Sequence, residues 1–198
     1  MRIGVFGGTF DPPHLGHQIL AVEAMEQARL DKVLWVLTPD PPHKQGVEIT
    51  PTNQRLTMVE KMVKQSAEFA VSDIEIRRTG PHYVVDTMRL LRKEYPEDDL
   101  YYLMGGDSLS DLPSWHTPAD FIDTCHGLLV LRRAGTKINL PSLYLQFPNL
   151  REKITFLHAP LIEISAEDIR KRARGHRIIW QFLSSEVYHY IVHEGLYR

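Results

Sequence analysis

Short apolar runs along this chain of 198 residues alternate with longer segments in which apolar residues recur at helical spacing. A short run of β-branched and apolar residues predicts a buried strand, and a period of about 3.6 residues predicts an amphipathic helix. Six strands are predicted, at 2–6, 32–37, 71–76, 100–104, 127–131 and 153–157. Six helices are predicted at 17–28, from a Thr50 cap and Pro51 to 65, at 83–95, from Thr117-Pro118 onward, at 165–174 and at 184–194. This alternation favours an α/β fold with a doubly wound parallel sheet in a three-layer α/β/α arrangement.

Two stretches interrupt the pattern, residues 40–50, which contain Pro41-Pro42-His43-Lys44, and residues 134–149. Both are expected to be irregular, and loops of this length often carry function. We find no internal repeat and no linker. Because domains commonly hold about 150 residues, residues 1–198 are expected to form a single domain.

Composition excludes several classes of protein. The chain is 43% hydrophobic and 24% charged, which is typical of a globular protein and excludes disorder. A formal net charge of -2 argues against a protein that coats nucleic acid. Cys125 is the only cysteine, so neither an intramolecular disulfide nor a thiolate zinc cluster can form, which favours a reducing, cytoplasmic compartment. No apolar run approaches the ~20 residues that span a bilayer, and the start of the chain lacks a signal peptide, so no membrane partner is expected.

The first predicted strand leads into an informative turn, G-G-T-F-D-P-P-H-L-G-H, from Gly7 to His17. It matches neither the dinucleotide fingerprint G-x-G-x-x-G nor the P-loop G-x-x-x-x-G-K-[ST]. Its glycines let backbone N–H groups approach an anion, and the helix N-terminus that follows carries positive dipole charge. His14 and His17 are three residues apart, so both imidazoles can face one ligand and, when protonated, neutralise charge that develops during phosphoryl or nucleotidyl transfer. The turn therefore predicts a phosphate site.

Two other interpretations of this turn stay open. Gly7 and Gly8 could serve only a tight connection between strand and helix, with histidines that have no role. Asp11, His14 and His17 could instead ligate zinc, since histidines one turn apart can bind metal, although no H-E-x-x-H pattern supports that site.

The eleven-residue turn resembles the signature of the nucleotidylyltransferase superfamily, in which an H-x-G-H or T-x-G-H motif binds the triphosphate of ATP or CTP. Further segments resemble one family within it, the bacterial nicotinate-nucleotide adenylyltransferases. These segments are P-P-H-K at 41–44, G-G-D-S-L at 105–109 with Trp115, Arg132-Arg133 after a strand, I-S-A-E-D-I-R at 164–170 and G-L-Y-R at 195–198. The resemblance therefore extends from the first strand to residue 198.

The resemblance implies a Rossmann-like fold and a reaction that joins nicotinic acid mononucleotide to the AMP moiety of ATP, releasing pyrophosphate and forming deamido-NAD. ATP and the mononucleotide are the implied partners, and Mg²⁺ would be carried on the ATP phosphates, with no metal site in the protein itself. The implied catalytic residues are His14, His17, Lys44 and Arg170. The implied ATP-binding residues are Gly7, Gly8, Thr9, Phe10, Gly16, Gly105, Asp107 and Ser165. The implied contacts to the nicotinate nucleotide are Tyr83, Val84, Thr87, Asp107, Trp115 and His116.

Two positions depart from the family pattern. Val84 stands where the family's S-Y-T segment has a threonine, so carboxylate recognition there rests on the backbone N–H. Glu167 replaces another threonine where a phosphate is expected, and an acid there would repel ATP if it pointed inward.

Several implied residues also have ordinary structural interpretations. Ser165 could be a helix N-cap, Lys44 a solvated lysine in a proline-rich turn, and Trp115 a core residue. The cationic run from Lys171 to Arg177 is expected to be a solvated face.

Other functions stay open as well. Nicotinamide mononucleotide or phosphopantetheine could be the acceptor, although Trp115, Asp107 and the P-P-H-K loop argue against phosphopantetheine. A nucleotide-binding regulator that keeps the fold without turnover is a hypothesis of a different class. The sequence does not determine the oligomeric state, and a homo-oligomer stays open.

Overall fold

The computed structural model describes residues 1–41, 48–131, 138–160 and 164–198. Within these ranges the sheet has six strands, β1 Arg2–Gly8, β2 Lys32–Leu37, β3 Phe69–Ser72, β4 Asp99–Gly105, β5 Gly127–Leu131 and β6 Ile154–Leu157. Their order is β3-β2-β1-β4-β5-β6, and every neighbouring pair is parallel. The predicted doubly wound parallel sheet is confirmed. The order reverses between β1 and β4, where such sheets open a crevice at the carboxyl ends of the strands.

Helices cover both faces of the sheet. In the described ranges they are α1 Leu15–Ala28, α2 Thr52–Val63, α3 Val84–Glu94, α4 Gly106–Asp111, α5 Pro118–Thr124, α6 Leu140–Gln146, α7 Leu150–Lys153, α8 Ala166–Arg174 and α9 Ser185–Glu194. Short 3₁₀ turns lie at Leu112–Ser114 and Trp180–Phe182. Not one of these helices combines the length and the apolar character needed to cross a membrane.

The side chains of β2 divide between two cores, because successive residues of a strand point to opposite faces. Trp35, with its neighbours two positions away, joins the core that α1, α2 and α9 cover. Leu34 and Val36 join the core that α3, α5 and α6 cover. All three side chains are at most 1% exposed, and burial of each such side chain contributes about 1.5–3 kcal/mol. The apolar run of this strand is therefore explained by burial on both faces.

The predicted third strand at 71–76 was placed too late in the chain. The strand pairs with β2 from Phe69 to Ser72. A turn then begins at Asp73, whose carbonyl accepts from the Arg77 N–H at 3.0 Å and whose carboxylate accepts from Arg77 Nε at 2.8 Å. Ile74 lies in this turn but is buried. Its apolar side chain therefore looks like a strand residue in the sequence, which explains why the predicted strand continues past Ser72.

Two further predictions of local structure were wrong. Thr50 does not cap α2, because Pro51 occupies the N-cap position and the Thr50 main chain bonds elsewhere. The stretch 134–149 is not irregular throughout, since it contains α6, whose Asn139 side chain accepts from the Ser142 N–H at 3.2 Å. Asn and Pro in this stretch predict a loop, but here they serve as the cap and the first turn of a helix.

Candidate active site

The end of β1 and the turn that follows it lie at the carboxyl edge of the sheet, and the last two residues of the strand, Gly7 and Gly8, are packed too closely for side chains. A Cβ atom on Gly7 would lie 2.9 Å from the Tyr102 hydroxyl, and a Cβ on Gly8 would lie 2.9 Å from the Phe10 ring. Both distances are shorter than real Cβ contacts allow. Glycine at these two positions therefore brings the backbone of the turn against β4 and against the aromatic core.

Phe10 combines a buried ring with an unusual backbone conformation. Its φ of 49° is in the left-handed region that costs a non-glycine residue about 1–2 kcal/mol. Its ring is 2% exposed and packs 5.4 Å from Phe6, 5.2 Å from Trp35 and 5.1 Å from His17, measured between ring centroids. The ring therefore belongs to the core.

His14 and His17 lie side by side at the start of α1, which begins two residues earlier than predicted. The backbone N–H of His14 donates to His17 Nδ1 at 3.2 Å. The two imidazole rings stack with their centroids 3.7 Å apart and an angle of 25° between their planes. Because Nδ1 of His17 accepts this bond, the proton of its neutral ring lies on Nε2. His14 is 4% exposed and His17 is half-buried. The geometry gives His17 an N–H donor of defined tautomer beside the glycine-rich turn.

Arg170 reaches the same turn from α8, although it is 159 residues away in sequence. Its Nη1 donates to the Asp11 carbonyl at 2.6 Å and lies 4.0 Å from the Asp11 carboxylate. The guanidinium is 18% exposed, so it borders the cleft while one N–H is held by the turn. The structure thus brings together three of the four implied catalytic residues.

Asp11 is the centre of this arrangement. Its carboxylate, 4% exposed, accepts from the Tyr197 hydroxyl at 2.6 Å and from the Thr50 N–H at 3.3 Å. Burial, and next the charge of Asp11, raise the pKa of Tyr197, so its hydroxyl keeps its proton and remains a donor at neutral pH. The turn after β1, the chain before α2 and the chain after α9 therefore meet at one carboxylate.

The geometry does not favour zinc at Asp11, His14 and His17. Both carboxylate oxygens of Asp11 already accept hydrogen bonds. In the part of the chain that the structure describes, no three His, Cys, Asp or Glu residues are grouped so as to hold a metal ion.

Arg55 is a residue of this region that the sequence analysis missed. Its side chain is 1% exposed and, among the residues that the structure describes, donates to oxygens of the loops around the turn and of the first residue of α2. Burial lowers the pKa of Arg55 and the nearby Asp11 charge opposes that effect, and an arginine stays charged at neutral pH. An arginine one turn into an amphipathic helix gives no sequence signal of this role.

The start of α8 combines a cap with a solvated ion pair. The Ser165 hydroxyl accepts from the Asp168 N–H at 3.0 Å and donates to the Asp168 carboxylate at 2.7 Å, so Ser165 is an N-cap. Glu167 is 66% exposed and pairs with Lys171 at 2.7 Å. Hydrogen bonding to Lys171 lowers the pKa of Glu167. This acid points to solvent, so the repulsion of ATP considered above does not apply in this conformation.

Aromatic rings line the other end of the carboxyl edge, beside β4. The Tyr83 and His116 rings stack at 4.1 Å with 20° between their planes. Trp115 is half-buried, with its ring 5.3 Å from Phe121 and 6.3 Å from Tyr102. Because the Tyr102 hydroxyl occupies the space where a Cβ on Gly7 would lie, this residue lies between the aromatic end and the turn after β1. Trp115 thus has a core contact and a partly open surface.

Two other implied residues follow β4. Gly105 is the N-cap of α4, and Asp107 lies exposed in the first turn of that helix. A Cβ on Gly105 would lie 3.3 Å from the Asp107 carboxylate, so a side chain at position 105 would crowd that carboxylate.

Thr87 lies in the first turn of α3 and is buried, and its implied contact to the nucleotide stays a prediction. It is 1% exposed, and its hydroxyl donates to Glu75 Oε1 at 2.5 Å. Arg78 Nη2 donates to the Thr87 hydroxyl at 3.1 Å and to the Tyr83 carbonyl at 3.2 Å. Thr87 therefore supports the start of α3. Glu75, whose pKa is raised by burial, and Arg78 were missed because charged residues after β3 resemble a solvated turn.

Lys44 lies outside the described residues, as do Pro42, His43, Arg132 and Arg133. The role implied for Lys44 therefore stays a prediction.

Comparison with known proteins gives one consistent result. The model of the cytidylyltransferase-like family matches residues 5–172. A probable nicotinate-nucleotide adenylyltransferase of Thermomicrobium roseum is 42% identical over 100% of this chain and 92% of its own length. Another so named, from Synechococcus sp., is 38% identical over 99% of this chain and 94% of its own length.

A solved structure shares the fold. The Plasmodium falciparum nicotinic acid mononucleotide adenylyltransferase complexed with NaAD superposes with a TM-score of 0.79, covering 99% of this chain and 97% of that one at 19% identity. At that identity the likeness shows the fold alone, whereas identities of 38–42% over nearly the whole chain show relationship. The chain therefore belongs to the nicotinate-nucleotide adenylyltransferase family of cytidylyltransferase-like nucleotidylyltransferases.

Proposed function

We propose that this protein transfers AMP from ATP to nicotinic acid mononucleotide, forming deamido-NAD and pyrophosphate, and that residues 1–198 act as one domain. One observation carries the proposal. Arg170, far away in sequence, contacts the same turn that presents His14 and His17. Three potential cationic or N–H donors thus converge at the carboxyl edge of β1, where ligands of doubly wound sheets bind.

The reaction requires alignment and charge stabilisation more than covalent chemistry. The phosphate oxygen of the mononucleotide attacks the α-phosphorus of ATP, a new P–O bond forms, and the bond to the β-phosphate breaks as pyrophosphate leaves. Negative charge grows on the leaving group. His14, His17 and Arg170 are proposed to hold that group by charge-assisted hydrogen bonds, with Lys44 adding a further cation.

ATP is proposed to lie along the turn after β1. The backbone from Gly7 to Phe10 would face the nucleotide, and Gly16 would let the substrate approach the first turn of α1. Gly105 and Asp107 would contact the ATP side from β4, with Asp107 accepting from ribose hydroxyls. Ser165 would act through its cap, which fixes the start of α8.

Mg²⁺ is proposed to arrive on the ATP phosphates, where it neutralises their charge. The oxygen ligands that this ion prefers are supplied by a triphosphate and by water. The donors at this edge suit phosphate oxygens: imidazole, guanidinium and backbone N–H groups.

The pyridine ring is proposed to stack on Trp115 next to Tyr83. A carboxylate on that ring would accept from backbone N–H groups of Val84 and His116. The backbone N–H of Trp115 donates to the Leu112 carbonyl at 3.1 Å, so the backbone N–H of His116 is the one proposed for the carboxylate. A carboxylate gains more than an amide from two N–H donors, which favours the acid nucleotide.

The acceptor is tested by comparing kcat/KM for nicotinic acid mononucleotide, nicotinamide mononucleotide and phosphopantetheine at saturating Mg·ATP. We expect the acid to be preferred. A preference for the amide would overturn the assigned acceptor. No release of pyrophosphate with any acceptor would favour a regulator without turnover.

A further inference from the structure

The guanidinium of Arg55 is saturated with hydrogen bonds. Nε donates to the Thr50 carbonyl at 2.7 Å. Nη1 donates to the carbonyls of Thr9 at 2.9 Å and Thr38 at 2.8 Å. Nη2 donates to the Pro39 carbonyl at 2.7 Å and the Thr52 hydroxyl at 3.2 Å. An arginine side chain has five N–H donors, and all five are used here.

These acceptors lie on three separate segments at the carboxyl edge of the sheet. Thr9 follows β1, Thr38 and Pro39 follow β2, and Thr50 precedes α2. The buried cation therefore joins the ends of two neighbouring strands to the start of a helix. No neutral side chain can donate to so many carbonyls in one plane.

The bond to Thr9 has a consequence for the next amide. A trans peptide unit is planar, and its C=O and N–H point in opposite directions. Holding the Thr9 carbonyl toward Arg55 therefore turns the Phe10 N–H away from Arg55. Phe10 is also the residue with the unfavourable φ of 49°, so this peptide orientation needs an external constraint.

From this geometry we infer that Arg55 is a positioning residue for ATP: it fixes the Thr9–Phe10 peptide so that the Phe10 N–H faces the nucleotide. The inference rests on the proposed function for the identity of the nucleotide. Arg55 itself does not touch substrate, because its side chain is 1% exposed and committed to the protein. Arg55 acts by orienting the Thr9–Phe10 peptide, and its positive charge lies buried next to the proposed phosphate site.

Arg55→Lys separates geometry from charge, since lysine keeps the cation but has three donors that do not fan out in a plane. We expect the dissociation constant for Mg·ATP to rise about tenfold or more. The dissociation constant for nicotinic acid mononucleotide alone should stay at the wild-type value. Both are measured by calorimetry without turnover, well below the Tm of the variant.

Arg92→Lys is the matched control. Arg92 also donates to backbone carbonyls, those of Asp98 at 2.9 Å and Thr124 at 3.0 Å, but at the opposite edge of the sheet, before β4 and β5. This variant should lose thermal stability without a change in ATP affinity. If Arg55→Lys behaves in the same way, Arg55 is merely structural and the inference is wrong. Equal weakening of both nucleotides would also overturn it.

A measurement on the wild-type protein covers the case in which Arg55→Lys does not fold. The Phe10 amide resonance should shift and broaden on titration with Mg·ATP, while amides beside Arg92 should not. An unmoved Phe10 resonance in protein that binds ATP overturns the inference. Failure of the proposed function can be told apart from failure of this inference. In the first case the wild-type protein makes no deamido-NAD, whatever the Arg55 variant does.

Discussion

The two ends of the cleft are built by different means. At the end beside β1, charged groups hold the backbone: Arg170 and Arg55 donate to main-chain carbonyls, and Asp11 accepts from a main-chain N–H. At the end beside β4, the surface is formed by rings, with Tyr83 on His116 and Trp115 against Phe121. The first end is a rigid polar frame, and the second is an aromatic surface.

The difference matches what each end must bind. A phosphate gains most from donors held in a fixed geometry, because preorganised donors need no rearrangement as charge develops. A pyridine ring gains from broad contact with another ring, which tolerates small shifts in position. Substitutions at the polar frame should therefore affect turnover and the binding of ATP, and substitutions among the rings should affect the affinity for nicotinic acid mononucleotide.

The largest effect is expected from His17→Ala. We expect kcat to fall by about 10²-fold or more, because loss of one preorganised donor has effects of that size. The variant also removes the acceptor of the His14 N–H, so its Tm is measured alongside its steady-state kinetics. His189→Ala, an exposed change on α9, is the control. Turnover near the wild-type rate in folded His17→Ala would show that the polar frame does not stabilise the leaving group through this ring.

A smaller effect, confined to one substrate, is expected from Trp115→Ala. Stacking on an aromatic side chain contributes about 1–3 kcal/mol per base, so KM for nicotinic acid mononucleotide should rise about tenfold or more while KM for ATP stays constant. Trp115→Phe should restore most of the affinity. Trp180→Ala removes a tryptophan that is 59% exposed and lies away from the cleft, and it should change neither constant. An equal rise in both KM values would contradict the division of the cleft into two ends.

The fold was predictable because its signals are local. Buried runs such as β2 and amphipathic segments such as α3 show their period directly in the sequence. The errors occur where one residue type is compatible with two kinds of local structure. Ile74 is apolar but lies in a turn, and Asn139 with Pro141 begins a helix where a loop was predicted.

Residues of the candidate site can be named from the sequence where they form one motif, and not where they support that motif from a distance. His14 and His17 are adjacent to glycines that reveal an anion site. Arg55 and Tyr197 join that turn only through the fold, and neither has neighbours in sequence that indicate a partner. Thr87 is implied at the nucleotide site by resemblance, and the structure adds that it is buried with its hydroxyl on Glu75. Burial and partners cannot be read from one sequence.

A moderate effect on stability is expected from Tyr197→Phe. The change removes the hydroxyl that donates to Asp11 at 2.6 Å and keeps the ring. When a buried carboxylate loses a hydrogen-bond donor, the free energy of unfolding falls by about 1–3 kcal/mol. Because Asp11 also holds Arg170, KM for ATP should rise a few-fold and KM for the mononucleotide should not.

The measurements for Tyr197→Phe are urea denaturation and initial rates. Tyr144→Phe, on α6 away from the polar frame, is the control for loss of a tyrosine hydroxyl. Unchanged stability together with unchanged KM for ATP would show that the chain after α9 is not part of the frame.

The smallest effect is a pH dependence from Glu75, beneath the aromatic end. Burial raises the pKa of Glu75 above its ordinary value of 4.5, although the Thr87 hydroxyl bond opposes this. Between 4.5 and the raised pKa the folded chain binds more protons than the unfolded chain, so the contribution of Glu75 to the free energy of unfolding falls as pH rises. Glu75→Gln removes that titration and keeps an acceptor for Thr87.

The difference in free energy of unfolding, wild type minus Glu75→Gln, should therefore be greatest below pH 4.5 and decline as pH rises through the raised pKa. Glu68→Gln is the control with the opposite sign. The hydrogen bond from Ser66 lowers the pKa of that exposed acid, so its contribution is present above the ordinary value and lost as pH falls. A Glu75 difference that is flat or rises with pH would mean that this carboxylate is ionised when folded. The aromatic surface would then rest on a buried charge, as the polar frame does on Asp11, and the contrast between the two ends would be lost.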